Sequence, residues 1–272
     1  MRIAKHCSMS HFPPQRGQVC VDSMSNWDAL TIQMVWFSGD ARRSNAGQLF
    51  TAFTGAEPDS YQSNKAPGAP VPILSAAAGT VDGVSFNISV QTSRVDLVVQ
   101  GRAEDTSDQP TLIESPEGII SGIFLPRAHL IGSQLSSINR LALVTTLCKP
   151  ADTHVQANEI VAELIGMQLP RYDVTDFAFQ VNARVPLDGP SGIAVNRFLK
   201  FGVMSFHTVT LDLGGQIVSP QEAQVYNASL AIDVNIVPHF QPIQADLQSD
   251  IWEKLASETL RIRNIGKLDG LW

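Results

Sequence analysis

Cysteine is scarce in this 272-residue chain: three residues, at positions 7, 20 and 148. An odd, sparse set excludes a disulfide framework, so the fold must rest on an apolar core. No CxxC pair is present. The small cluster His6, Cys7, His11 and Cys20 lacks zinc-knuckle spacing, and adjacent His6 and Cys7 are ill suited to one tetrahedral site. No metal and no cofactor is therefore expected. Basic residues are in deficit, 19 Lys and Arg against 26 Asp and Glu, for a formal charge of −7. That balance argues against a chain built to track phosphate backbones, and no nucleic-acid partner is expected. The basic stretch Arg261, Arg263 and Lys267 reads as the positive end of a C-terminal helix, where the dipole favours cations.

Long apolar runs are absent too. None approaches the roughly 18–20 residues needed to cross a bilayer, and residues 1–18 lack an apolar signal-peptide core, so neither a membrane association nor secretion is expected. The expected compartment is the cytoplasm. Phosphate-cradling loops (GxGxxG, GxxxxGK[ST]) and the catalytic patterns GxSxG, HExxH and SxxK are all missing, which removes the most legible nucleotide-binding and hydrolytic readings.

What the sequence does contain is a globular composition, with 44% apolar and 17% charged residues and enough length for a sizeable core. An irregular N-terminal arm is expected over 1–26, where Phe12-Pro13-Pro14 favours extended chain. Two α+β halves follow, 27–150 and 151–272, expected to form one compact unit. Period-two alternation predicts strands over 30–38, 84–90, 94–100, 141–147, 177–185, 203–213 and 228–237. Asp82-Gly83 marks a tight turn before one of them, and Gly214-Gly215 a hairpin after another. Helices are predicted from Ser44 to about Phe53, from Asp152 or Thr153 to about Gly166, and from Ser249 or Asp250 to about Asn264, the last with a capping-box pair in Asp250 and Glu253. Proline-rich stretches at 55–79 and 101–122 read as long loops, the first with Tyr61 and Lys65 at its tip. Half-polar strands and few helices make the class α+β, a largely antiparallel twisted sheet with a few packing helices.

Two weak echoes suggest similar halves: Asn139-Arg140 against Asn196-Arg197, each between apolar residues, and Arg94-Val95 against Arg184-Val185. The spacing between the members differs, so no fixed period supports a repeat. An Asn-Arg step suits a strand entrance, where Asn tolerates turn geometry and Arg binds loop carbonyls, while the guanidinium fork also suits an anion.

Alternation also sorts polar residues by face. Arg94, Asp96 and Gln100 share a side of one strand; Gln180, Asn182 and Arg184 share a side of another; Asp233 and Asn235 share a side of a third. If those strands are neighbours, they form an amide-rich patch. With Asn139, Arg140, Asn196 and Arg197, these are the candidate binding residues. The expected function is a non-catalytic binding protein whose partner is another protein or a second copy. The alternative is an enzyme acting on a small polar substrate under the 55–79 loop, with Asp96, Asp233, Arg94 and Arg184 converging. His207 reads as a core histidine and Cys148 as a small buried hydrophobe.

Overall fold

The computed structural model describes residues 27–64, 73–101, 111–170, 174, 177–186, 193–207, 224–269 and 271. The expected arm, the His6–Cys20 cluster, Lys65, the Gly214-Gly215 turn and the side chain of His207 lie outside them.

Among the described residues nine strands form one antiparallel sheet. In chain order the strands are β1 (Asp28–Ser38), β2 (Ser60–Ser63), β3 (Ile73–Val81), β4 (Val84–Gln91), β5 (Arg94–Gln100), β6 (Ile138–Ala151), β7 (Ala178–Pro186), β8 (Ala194–His207) and β9 (Gln224–Ile236). Their order across the sheet is β2-β3-β4-β5-β1-β6-β9-β8-β7. The helices are α1 (Ala46–Thr54), α2 (Pro116–Ile119), α3 (Leu125–Gly132), α4 (His154–Leu164) and α5 (Ala245–Ile265), with a π-helical turn, Ile120–Phe124, between α2 and α3. The fold is α+β, as its alternating half-polar strands imply.

The element order repeats. A first strand (β1 or β6) leads to a helix (α1 or α4). A meander (β2–β5 or β7–β9) then walks inward until its last strand pairs with the first, and a helical segment follows (α2–α3 or α5). The two arrangements meet where β1 pairs with β6. β6 therefore opens the second arrangement, whereas the division at 150/151 falls at the far end of that strand. The sequence echoes do not map onto this repeat. Asn139-Arg140 lies on β6 and Asn196-Arg197 on β8, which are not counterparts in it.

Helices cover one face. Paired residues trace a row across it, Ala77, Ile88, Leu97, Met34, Leu143 and Val234, apolar over six strands and fully buried. Trp252 of α5 meets Trp36 of β1 edge-on at 5.2 Å, and Phe53 of α1 meets Phe86 of β4 at 6.1 Å. Leu268 N donates to Leu164 O, fixing the end of α4 beside the chain that leaves α5. This single core holds the fold together, because the apolar stripe of each helix is buried against the same sheet face.

Several boundaries differ from the sequence reading for identifiable reasons. The 55–79 stretch is not one long loop, since it contains β2 and most of β3. Small residues hid them: Ser75-Ala76-Ala77-Ala78-Gly79 shows no hydrophobic alternation because α1 packs directly on it. A Cβ at Gly79 would sit 3.0 Å from the Phe50 ring. α1 is capped by Asn45, which accepts from Gln48 N at 3.1 Å, and not by Ser44. The 101–122 loop reading ends at α2, and the helical run to Gly132 went unread. Its π turn suits Pro126, which has no N–H to give Gly122 O. β8 begins at Ala194, nine residues before the expected strand start. α5 begins at Ala245, so Asp250 and Glu253 lie inside it and form no cap. Asp82 (φ 52°) and Gly83 (φ 78°) do form the left-handed two-residue turn expected between β3 and β4.

Beyond the end of β1, one carboxylate joins the two arrangements. Asp40 accepts hydrogen bonds from the hydroxyls of Ser38, Ser136 and Ser137 and from the backbone N–H of Ser136. Its own N–H donates to Ser137 Oγ at 3.1 Å. Burial alone would raise this carboxyl, but the surrounding donors outweigh burial and hold it well below the usual carboxylate range. A lowered folded-state value means the contribution to stability is present above the unfolded carboxyl value and is lost as pH falls through the folded one. Asp40→Ala is expected to cost about 1–3 kcal/mol at pH 7. In urea titrations the gap to wild type should shrink as pH falls below about 4.

Candidate functional site

No described helix packs on the opposite face of the sheet, and the register aligns most of the predicted site residues on it. One row reads Ser89, Asp96, Val35, Ala142, Asn235, Asn196, Arg184 across β4, β5, β1, β6, β9, β8 and β7. The next reads Asn87, Val98, Gln33, Val144, Asp233, Phe198, Asn182, and a third ends in Lys200 and Gln180. Arg94, Phe37 and Arg140 form a short row at one end. Nine of the eleven candidates thus lie on one continuous face: Arg94, Asp96, Arg140, Gln180, Asn182, Arg184, Asn196, Asp233 and Asn235.

Two candidates lie elsewhere. Arg197 points to the helix-covered face, where its Nε pairs with Glu258 of α5 at 2.6 Å. Asn139 is exposed near the start of β6, and its carbonyl accepts from His239 N at 2.8 Å. The two Asn-Arg steps therefore send their arginines to opposite faces, because Arg140 and Arg197 occupy different registers against the shared neighbour β9.

The face carries two polar clusters. In the first, buried Asp96 accepts from Gln33 Nε2 (2.9 Å) and Gln91 Nε2 (2.8 Å), lies 3.5 Å from Ser89 Oγ, and pairs with Arg94 Nε at 3.1 Å. Burial raises its pKa, and Arg94 and the amides counter that rise only in part. In the second, buried Asn235 is the hub. Its Oδ1 accepts from Arg140 (2.9 Å) and Asn196 (3.0 Å), and its Nδ2 donates to Asp233 (2.7 Å). Arg184 Nε donates onward to Asn196 at 3.1 Å. The Arg140 guanidinium also lies 4.8 Å from the centre of the Phe37 ring, a cation–π contact. Between the clusters runs an apolar strip, Val35, Ala142 and Val144, flanked by Phe37, Val98 and Phe198.

Asp96 and Asp233 do not converge. They lie on β5 and β9, three strand spacings or about 14 Å apart, too far for a shared proton. Arg94 joins Asp96, and Arg184 joins Asn196. Tyr61, expected at a loop tip, lies on β2 with its hydroxyl accepting from Asn45 at 2.8 Å. A cavity of about 370 Å³ opens beside Lys200, Thr146, Ser229 and His154. Ser229 Oγ is committed to Gly202 O at 2.9 Å, and His154 Nδ1 lies 3.3 Å from Asn158 Nδ2, so no activated nucleophile emerges there. Cys148 is fully buried, and burial, with Asp28 nearby, pushes its thiol up to about 11, leaving it a packing residue. The basic C-terminal residues serve structure: Arg261 is bound by Glu258, and Arg263 Nε donates to Trp27 O at 3.0 Å.

Gln33, Ser89, Gln91 and Phe37 complete these clusters, and sequence reasoning did not include them. The signal was present for β1, where Gln33 and Phe37 fall on the side opposite Ile32, Met34 and Trp36. Among the described residues no group of three or more His, Cys, Asp or Glu side chains is placed to hold a metal, and no helix is long and apolar enough to cross a membrane.

Asn235→Ala leaves Arg140 and Asn196 without their acceptor and should destabilise the fold by about 1–3 kcal/mol. A double-mutant cycle of Arg140→Ala with Asn235→Ala, read by urea unfolding, should return a coupling of at least about 0.5 kcal/mol.

No family model, no curated protein and no solved structure matches this chain.

Proposed function

We propose that this is a non-catalytic binding protein whose working surface is the sheet face that no described helix packs against, and that its partner is a protein. The observation that carries this reading is the pairing of the half-buried apolar side chains Val98, Val144 and Phe198 with a guanidinium–amide network (Arg140, Asn235, Asn196, Arg184) on the face no described helix packs against. Apolar area next to ordered Arg and amide donors is the composition of protein interfaces. Held in place by their neighbours, these side chains lose little further freedom on binding. Among the described residues the face carries no convergent acid, base and nucleophile, which favours binding over the alternative of chemistry on a small substrate. A cytoplasmic location is part of the proposal, supported by the sparse cysteine usage.

The test is isolation of the native complex from its source, followed by comparison of wild type with Val144→Glu and with Arg140→Glu. Both variants should keep the wild-type circular dichroism spectrum and lose the co-isolated partner at least about tenfold, as expected for a charge set against a desolvated contact. Retention of the partner by both variants, or hydrogen-exchange protection confined to the helical layer, would refute the reading.

A further inference from the structure

One end of the sheet is a long strand whose outer edge no described strand pairs with. β7 is the last strand in the order, and among the described residues only β8 pairs with it. Its nine residues, Ala178–Pro186, pair with β8 without a bulge, contain no glycine, and hold their one proline at the last position. Devices that blunt exposed edges (internal proline, a bulge, an inward charge, extreme shortness) are missing here, whereas the opposite edge, β2, has only four residues. Helices pack over β8, β9 and β6. On that side of β7, Phe179, Val181, Ala183 and Val185 remain half-buried, their apolar surface incompletely covered.

We infer that β7 pairs antiparallel with β7 of a second copy about a two-fold axis at Asn182, continuing the sheet from one subunit into the next. The strand is self-complementary in that register. Phe179 meets Val185 and Val181 meets Ala183 on the helix side. Gln180 meets Arg184, and Asn182 meets Asn182, on the open side. A one-residue slip would set apolar residues against polar ones and is excluded by the pleat. Two-fold registers centred on Val181 or Ala183 keep the faces but engage fewer of the nine residues. The only charged residue of β7, Arg184, lies two positions from the axis, so the two copies stand about 13 Å apart and face amides instead of each other. Arg184 donates to Asn196 through Nε, which leaves its terminal nitrogens for Gln180 of the second copy. This pairing does not rest on the binding role of the open face. Its consequence would be to join two such faces side by side.

Sedimentation velocity on the full chain should show a monomer–dimer equilibrium. Asn182→Asp, at an exposed position, sets two carboxylates directly opposite each other and should weaken the dimer by about threefold to tenfold without moving the monomer's melting temperature. In a background with Cys7 and Cys20 changed to Ser, Asn182→Cys should oxidise to a disulfide-linked dimer much faster than Gln180→Cys. Residues directly opposite in an antiparallel pair lie about 4.5–5.5 Å apart, within disulfide reach. A monomer at every concentration overturns the inference. So does a dimer in which Asn182→Cys cross-links no faster than Gln180→Cys.

Discussion

The pairing of β1 with β6 is the contact on which the rest of the molecule depends. Each arrangement of strand, helix and meander supplies a sheet of a few strands with its own edge at the first strand. Joined along Asp28–Ser38 and Ile138–Cys148, the two become one sheet. Met34 and Trp36 then lie against Leu143 and Leu141 beneath the helices, and all four side chains are buried. Separated there, each half would expose a hydrophobic edge and an uncovered row of core side chains, a costly state given the area involved. The Asp40 carboxylate extends the seam past the strand ends by gathering Ser38, Ser136 and Ser137, so the same boundary is fixed by packing along its length and by charge-assisted hydrogen bonds beyond one end.

A continuous sheet with all its described helices on one side gives the other side its character. Side chains alternate, so the residues that escape the core in nine strands assemble on one surface without further instruction. The polar Asp96 and Asn235 are buried there, each enclosed by polar neighbours from adjacent strands. Those networks are ordered by the register alone. Arg140 reaches Asn235 only because Ala142 and Asn235 are partners across β6 and β9, which sets the guanidinium two positions along the same face. The separation of the Asp96 and Asn235 clusters by β1 and β6 follows from the same strand order. It is the reason the two carboxylates Asp96 and Asp233 act in different neighbourhoods.

Much of this was legible wherever alternation was strong. Val84, Phe86, Ile88 and Val90 against Ser85, Asn87 and Ser89 gave β4 and its faces, and Leu230, Ile232 and Val234 gave β9. β3 was not legible, because alanine and glycine under α1 carry no hydrophobic contrast. β8 was legible only at its C-terminal end, because the polar Asn196 and Arg197 interrupt its apolar run. Arg197 illustrates the limit for the site. Sequence grouped it with Arg140 through the shared Asn-Arg step, yet it faces Glu258, since parity along β8 puts it with Val195 and Leu199.

What the chain determined by itself was which residues share a side of a strand, since the pleat is a local property of the extended backbone. That sufficed to assign Gln180, Asn182 and Arg184 to one side of β7, and Asp233 and Asn235 to one side of β9. Which strands became neighbours, and hence whether two polar sides would touch, was decided by the tertiary structure. Pairing between segments remote in sequence is fixed by the packing of the whole helical layer against the sheet, a cooperative quantity that no stretch of ten residues contains.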